Sequence, residues 1–247
     1  MNAAPDAQLR LLDLQALDAT IDRLAHRRRT LPEHAEVTRL SERAAALRTA
    51  VVLAETEEGD IAREQTKAEG DVEQVRSRSA RDQQRLDAGT VGSAKELESL
   101  QHEIGSLAKR QSDLEDAVLE VMERREAVQS ELEATRRELA VIEGELTEAQ
   151  RRRDEQVSQI DGEAAAATAD RARLAPDVDP PLLALYDKIR ASSDGVGAAA
   201  LQRGRCEGCH LQLTNADLNA LRAAPEDEVV RCEECRRILV RTPESGL

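Results

Sequence analysis

Apolar residues recur along most of this chain at alternating spacings of three and four. From Val37 the pattern reads Val37, Leu40, Ala44, Leu47, Val51, Ala54, Glu58, Ile61, Gln65, Ala68, Val72, Val75, Ser79, Asp82, Leu86. A second unbroken register starts at Leu97 and runs through Leu100, Ile104, Leu107, Leu114, Val121, Leu132, Leu139 and Ile142 to Ile160. This is the heptad signature of helices that pack along a narrow seam. Between the two registers, residues 87–93 hold Gly89 and Gly92, which mark a turn. Ser93 with Glu96 three residues later reads as a capping box for the second helix. The two helices are therefore expected to fold back antiparallel, with arms of about 80 residues and a length of about 120 Å at 1.5 Å per residue.

The first arm is interrupted. Leu14, Leu17, Ile21, Leu24 and Leu31 are out of phase with Val37 onward, and Pro32 lies between them. The pattern predicts helices over 6–31 and 33–86, with Pro32 near the first position of the second. Two polar residues, Glu58 and Arg125, occupy seam positions at similar distances from the turn. They either form an interhelical pair that fixes the register or snorkel to solvent on their flexible stems.

After 174 the pattern changes. Pro176, Pro180 and Pro181 end the long helix, and Leu182, Leu185, Tyr186 and Ile189 define a short amphipathic helix. The remainder is short and β-like. Leu211 and Leu213 suggest a strand, Thr214-Asn215 a helix start, Val229-Val230 an approach to a second turn, and Ile238, Leu239 and Val240 a strand leaving it. The predicted class is mainly α: a long antiparallel coiled-coil hairpin over 1–175, with a short helix and a small C-terminal ribbon over 176–247.

Composition sharpens this picture. The 247 residues include no Phe, no Trp and one Tyr, while 34% are charged and 40% hydrophobic. Aromatic side chains dominate most compact cores. A seam of Leu, Val, Ile and Ala needs none. No apolar run reaches the ~18 residues of a membrane span, and the first residues show no secretory pattern. The expected location is the cytoplasm, with no membrane partner. The net charge of −14 disfavours non-specific wrapping of nucleic acid.

All four cysteines lie in two pairs, Cys206-x-x-Cys209 and Cys232-x-x-Cys235. Each turn aims two sulfurs at one point, and two such turns complete a tetrahedron around Zn2+. Iron suits a four-thiolate set chemically, but the spacing favours zinc. Disulfides do not fit a cytosolic chain, and a thioredoxin-like reading lacks its own α/β domain. Four thiolates leave no open coordination position, so the metal is expected to be structural. His210 follows Cys209 but is not needed as a ligand.

No Walker loop, dinucleotide glycine pattern or nucleophile triad is present, so no enzyme is expected. Charge reverses near the turn: residues 76–110 carry seven basic groups against five acidic. Arg78, Arg81, Arg85 and Lys95 are the candidate partner-binding residues there, weighed against an ordinary solvated helix face. The ribbon's seven arginines face eight acids. It has no aromatic residue for base stacking, which weakens the alternative of RNA or DNA binding through ribbon and turn. A polymerase-channel role would call for acidic residues at the tip, where only Asp87 stands. The seam can be satisfied within one chain, and the sequence leaves the oligomeric state open.

The combined motifs resemble the bacterial coiled-coil hairpin family with a C-terminal four-cysteine zinc ribbon, whose members are largely of unknown function. The matching segments are KELESLQHEI at 95–104, LYDKIR at 185–190, CEGCH from Cys206 and CEECRRIL from Cys232. The chain departs from the family pattern at Arg236, where a Gly is usual, and at Val240, where an aromatic is frequent. Neither is a ligand. The resemblance implies a binding protein, an adaptor or chaperone, since some members act on a sigma factor, a transcript or secretion-system parts.

Overall fold

The computed structural model describes residues 1–247. Helix α1 spans Pro5–Arg29, α2 Pro32–Asp87 and α3 Ala94–Leu174. A 3-10 turn, Ala175–Asp177, leads to α4, Pro180–Ser192. Strands β1 (Ala198–Gln202) and β2 (Arg205–Cys206), helix α5 (Asn215–Ala223), and strands β3 (Val230–Arg231) and β4 (Ile238–Val240) complete the chain. The molecule is mainly helical, with α2 and α3 packed as a hairpin and a small sheet at the C-terminal end. None of its helices is long and apolar enough to cross a membrane.

Two compact units are present: residues 36–149, and residues 1–35 together with 150–247. In the first, Leu40, Ala44, Ile142 and Ala149 form a buried cluster flanked by Val37, Leu47, Leu139 and Leu146. These are seam positions from both helices. Cross-hairpin ion pairs fix the register: Arg48 meets Glu143 at 2.6 Å, Arg136 meets Glu55 at 2.7 Å and Arg76 meets Glu115 at 2.5 Å. At the turn, Glu96 N donates to Ser93 Oγ (3.2 Å), so Ser93 caps α3.

The second unit explains the phase change before Pro32. Helix α1 does not continue the α2 seam. Its first half sends Ala7, Leu11 and Leu14 into a core with Leu182, Tyr186 and Ile189 of α4 and with Ala198, Ile238 and Val240 of the sheet. Its end, with Leu24 and Leu31, packs on Ile160 of α3. Leu11, Leu14 and Tyr186 are completely buried.

The sheet order is β2-β1-β4-β3, with β1 and β4 parallel and the other neighbours antiparallel. Both faces are covered. Ile238 and Val240 enter the α1/α4 core, while Leu239 between them joins Ala199, Leu201, Cys206, Leu221 and Cys232 on the other face. Two-sided burial accounts for the continuous apolar run 238–240. The segment 198–200 is three alanines, poor strand formers by composition. They are strand because their partners in β4 fix them, a pairing the sequence did not disclose. The strand expected at Leu211 and Leu213 is reduced to one bridge, Arg205 to Gln212, and Leu211 is half exposed. Helix α5 begins with a full capping box between Thr214 and Asp217.

Candidate metal centre

Both cysteine turns share one local design. In the first, His210 N donates to Cys206 O (2.8 Å) and Cys206 N donates to Leu211 O (3.0 Å). In the second, Arg236 N donates to Cys232 O (2.9 Å) and Cys232 N donates to Arg237 O (3.0 Å). The residue after each second cysteine turns left-handed, with φ of 60° at His210 and 63° at Arg236. Glycine occupies that conformation at least cost. Here a His and an Arg are held in it by the paired backbone bonds. Gly208 lies inside the first turn, where a Cβ would come within 2.9 Å of both Ala199 Cβ and Arg237 Cδ. The turn packs too tightly for a side chain there.

The four cysteine sulfurs lie within 4.8 Å of one another. Cys206 and Cys235 are 3.9 Å apart, as are Cys209 and Cys232. A tetrahedral site with Zn–S of about 2.3 Å requires edges of about 3.8 Å. The donor set therefore fits Zn2+, held by all four thiolates with no coordination position left for substrate. Burial pushes the Cys206 thiol up to about 12, opposed by backbone N–H groups of Cys209 and Gly208. Burial also raises Cys232. Both groups need a cation to ionise near neutral pH, so metal binding displaces protons. His210 points away: its side chain is exposed, with Nδ1 3.8 Å from Glu207.

Arginine side chains hold the centre in place. Arg237 donates to the carbonyls of Val196 (3.1 Å), Gly208 (3.0 Å) and Ser193 (3.0 Å), tying the first cysteine turn to the end of α4. Arg241 donates to Ala224, Pro225, Glu226 and Glu228 carbonyls and fixes the loop after α5. Two of the ribbon's seven arginines thus serve the fold.

A buried polar network connects the same unit, and sequence reasoning did not find it. Asp18, 2% exposed, accepts from Tyr186 Oη (2.7 Å) and from Arg171 Nε (2.7 Å), with Arg190 Nε 3.5 Å away. Burial, then the Asp18 bond, pushes the Tyr186 phenol far up, so it stays a donor. Gln15 Oε1 accepts from Gly197 N (2.7 Å) and fastens α1 to the start of β1. The only signal in the sequence was the single Tyr.

In the hairpin, Arg125 Nε donates to Glu58 Oε1 (2.8 Å), and Gln129 donates to the same oxygen (2.8 Å). The Gln129 bond first, and then Arg125, hold the Glu58 carboxyl below its usual range. The four candidate partner-binding residues do not form one site. Arg78 is paired with Glu103, and Arg85 lies 3.8 Å from the buried Asp82. Arg78 and Arg81 share a groove with Arg110, which the sequence had not singled out, and Arg85 and Lys95 lie outside it.

Comparison with known proteins agrees with this architecture. The CT398-like coiled coil hairpin domain matches residues 14–194, and the C4-type zinc ribbon domain matches residues 205–239. An uncharacterised protein of Mycobacterium tuberculosis is 40% identical over 248 residues, covering 98% of both chains. A solved structure from Mycobacterium smegmatis superposes with a TM-score of 0.85 at 33% identity, covering 98% of this chain and 100% of that one. CT398 from Chlamydia trachomatis superposes with a TM-score of 0.70 at 22% identity, covering 96% of this chain and 98% of that one, and shows the shared fold. The chain belongs to the CT398-like coiled-coil hairpin family and carries that hairpin together with a C4 zinc ribbon.

Proposed function

We propose that this protein is a non-enzymatic adaptor, a zinc-stabilised scaffold that binds a protein partner through the turn end of the hairpin and the ribbon. The observation that carries this reading is the closed four-sulfur centre. A metal with every position filled by thiolate has no place for water or substrate, so its contribution is to fold the ribbon. Near the turn, Lys95 makes no ion pair and Arg85 stays largely exposed with Asp82 only at 3.8 Å, which leaves cations for an acidic surface.

A protein partner is favoured over nucleic acid for two reasons. The ribbon offers no aromatic stacking group, and Arg237 and Arg241 spend their guanidinium groups on backbone carbonyls. The test is affinity capture from cell extract with the full-length chain and with an Arg85→Glu/Lys95→Glu variant of equal helicity. The reading expects a stoichiometric protein partner that the variant loses. RNA or DNA recovered in place of protein, released by moderate salt, would replace it with the nucleic-acid reading.

A further inference from the structure

Leu53 is the most exposed large apolar side chain of the hairpin, at 65%. Nothing within its own chain covers it. A groove lies further toward the turn on the same two helices. In that groove, Val75 and Leu107 are half-buried and form the floor, while Arg78, Arg81 and Arg110 stand at the rim and outnumber its one acidic residue, Glu73. Arg81 and Arg110 have no carboxylate partner in the chain.

The heptad places both features on one side of the hairpin. Leu53 lies four heptads before Arg81 on α2, and Glu57 lies three heptads before Arg78. On α3, Glu131 lies three heptads after Arg110. The Glu58–Arg125 pair, five residues from Leu53 on α2, sets the Glu131 stretch about level with Leu53 on α3. One side of the hairpin thus carries a basic groove with an apolar floor. Toward the other end it carries an exposed leucine flanked by Glu57 and Glu131, both exposed and without an ion pair.

We propose that this side is a self-association surface, in which two copies pack antiparallel and each seats its Leu53 in the other's groove. A two-fold axis midway between the features satisfies both contacts at once, which is the condition for a closed, isologous dimer. Arg81 and Arg110 of one copy then meet Glu57 and Glu131 of the other. The groove and Leu53 are roughly 35 Å apart at 1.5 Å per residue, and two helices are about 20 Å wide. The face is on the order of 700 Å² per copy, near the ~800 Å² of a standard stable interface. The surface is separate from Arg85 and Lys95 and does not depend on the adaptor reading.

Sedimentation equilibrium of the zinc-loaded full chain tests it. The expected mass is twice that of the chain at roughly 100 µM, a concentration that captures even modest affinity. Added salt shifts it toward monomer. Leu53→Glu, and separately Arg81→Glu/Arg110→Glu, halve the mass at unchanged helicity. Adding Glu57→Arg/Glu131→Arg to the latter restores the dimer, an outcome that a folding defect would not give. A wild-type monomer at low salt overturns the proposal, as does a dimer indifferent to Leu53→Glu. A monomer that binds a Glu-rich amphipathic helical peptide through Arg81 and Arg110 also overturns it, by assigning the groove to a foreign helix.

Discussion

Tyr186 Oη donates to Asp18 Oδ2 at 2.7 Å, and this bond joins the only aromatic residue of the chain to a carboxylate that is 2% exposed. It connects α4 to α1, and Arg171 of α3 completes the contact on the other carboxylate oxygen. A buried charge is tolerated only when paired and hydrogen-bonded. Three helices are therefore locked together by one side chain. Tyr186→Phe keeps the ring and removes one donor, with an expected loss of about 1–2 kcal/mol. Asp18→Ala removes the acceptor shared by Tyr186 and Arg171 and leaves Arg171 with Asp187 alone, with an expected loss of about 2–3 kcal/mol. Urea unfolding of both variants checks the order; equal stability to wild type would show the network to be dispensable.

Gly197 lies against the same tyrosine. A Cβ at 197 would approach the Tyr186 ring and its carbonyl oxygen to 2.7 Å. Neither backbone nor buried ring has room to retreat. Gly197→Ala is expected to cost about 1–3 kcal/mol by overpacking. Gly144, with nothing within 4 Å of its Cβ position, is the control, and its replacement by Ala should raise hairpin stability by about 1 kcal/mol.

The Glu58–Arg125 contact predicts a pH signature. The Gln129 bond, and then Arg125, lower the Glu58 pKa below its ordinary value of 4.5. A lowered carboxylate pKa adds stability above the unfolded value and loses it as pH falls through the folded one. Thermal unfolding between pH 6 and pH 3 should show this loss in the wild type. Glu58→Gln should flatten that part of the curve. A Glu58→Ala/Arg125→Ala double-mutant cycle should return a non-zero coupling energy; zero coupling would mean the two side chains act independently.

Metal removal should divide the molecule. The ribbon lacks a core of ordinary size, and the cysteines themselves complete one of its clusters with Leu201 and Leu239. Chelation is expected to unfold the ribbon while most far-UV helical signal persists, because the seam of α2 and α3 contains no ligand. Zinc affinity should rise with pH across the neutral range, since the buried Cys206 and Cys232 thiols must release protons to bind. Cys206→Ser should reproduce the chelated state.

The long-range features that repeat were legible from sequence, and the features made once were not. The heptads from Val37 and Leu97 placed α2, α3 and their turn because every seventh residue restates the same instruction. The two Cys-x-x-Cys turns placed the metal because ligand spacing is set by coordination geometry. The strand at 198–200 was illegible, since alanines become strand only through their pairing with β4. Asp18 was illegible for the same reason: an aspartate in a charged helix looks solvated until Tyr186, Arg171 and Arg190 converge on it. Arg110 joined Arg78 and Arg81 only when the hairpin register placed it across the groove.

Four thiolates close the metal's coordination sphere, which makes its role structural. Zinc K-edge X-ray absorption on the purified full-length protein measures this directly. A shell of four sulfur atoms at about 2.3 Å, with no lighter scatterer, is the expected result. An oxygen in the first shell in place of a sulfur would contradict it, because a bound water is the exchangeable position that catalytic zinc requires.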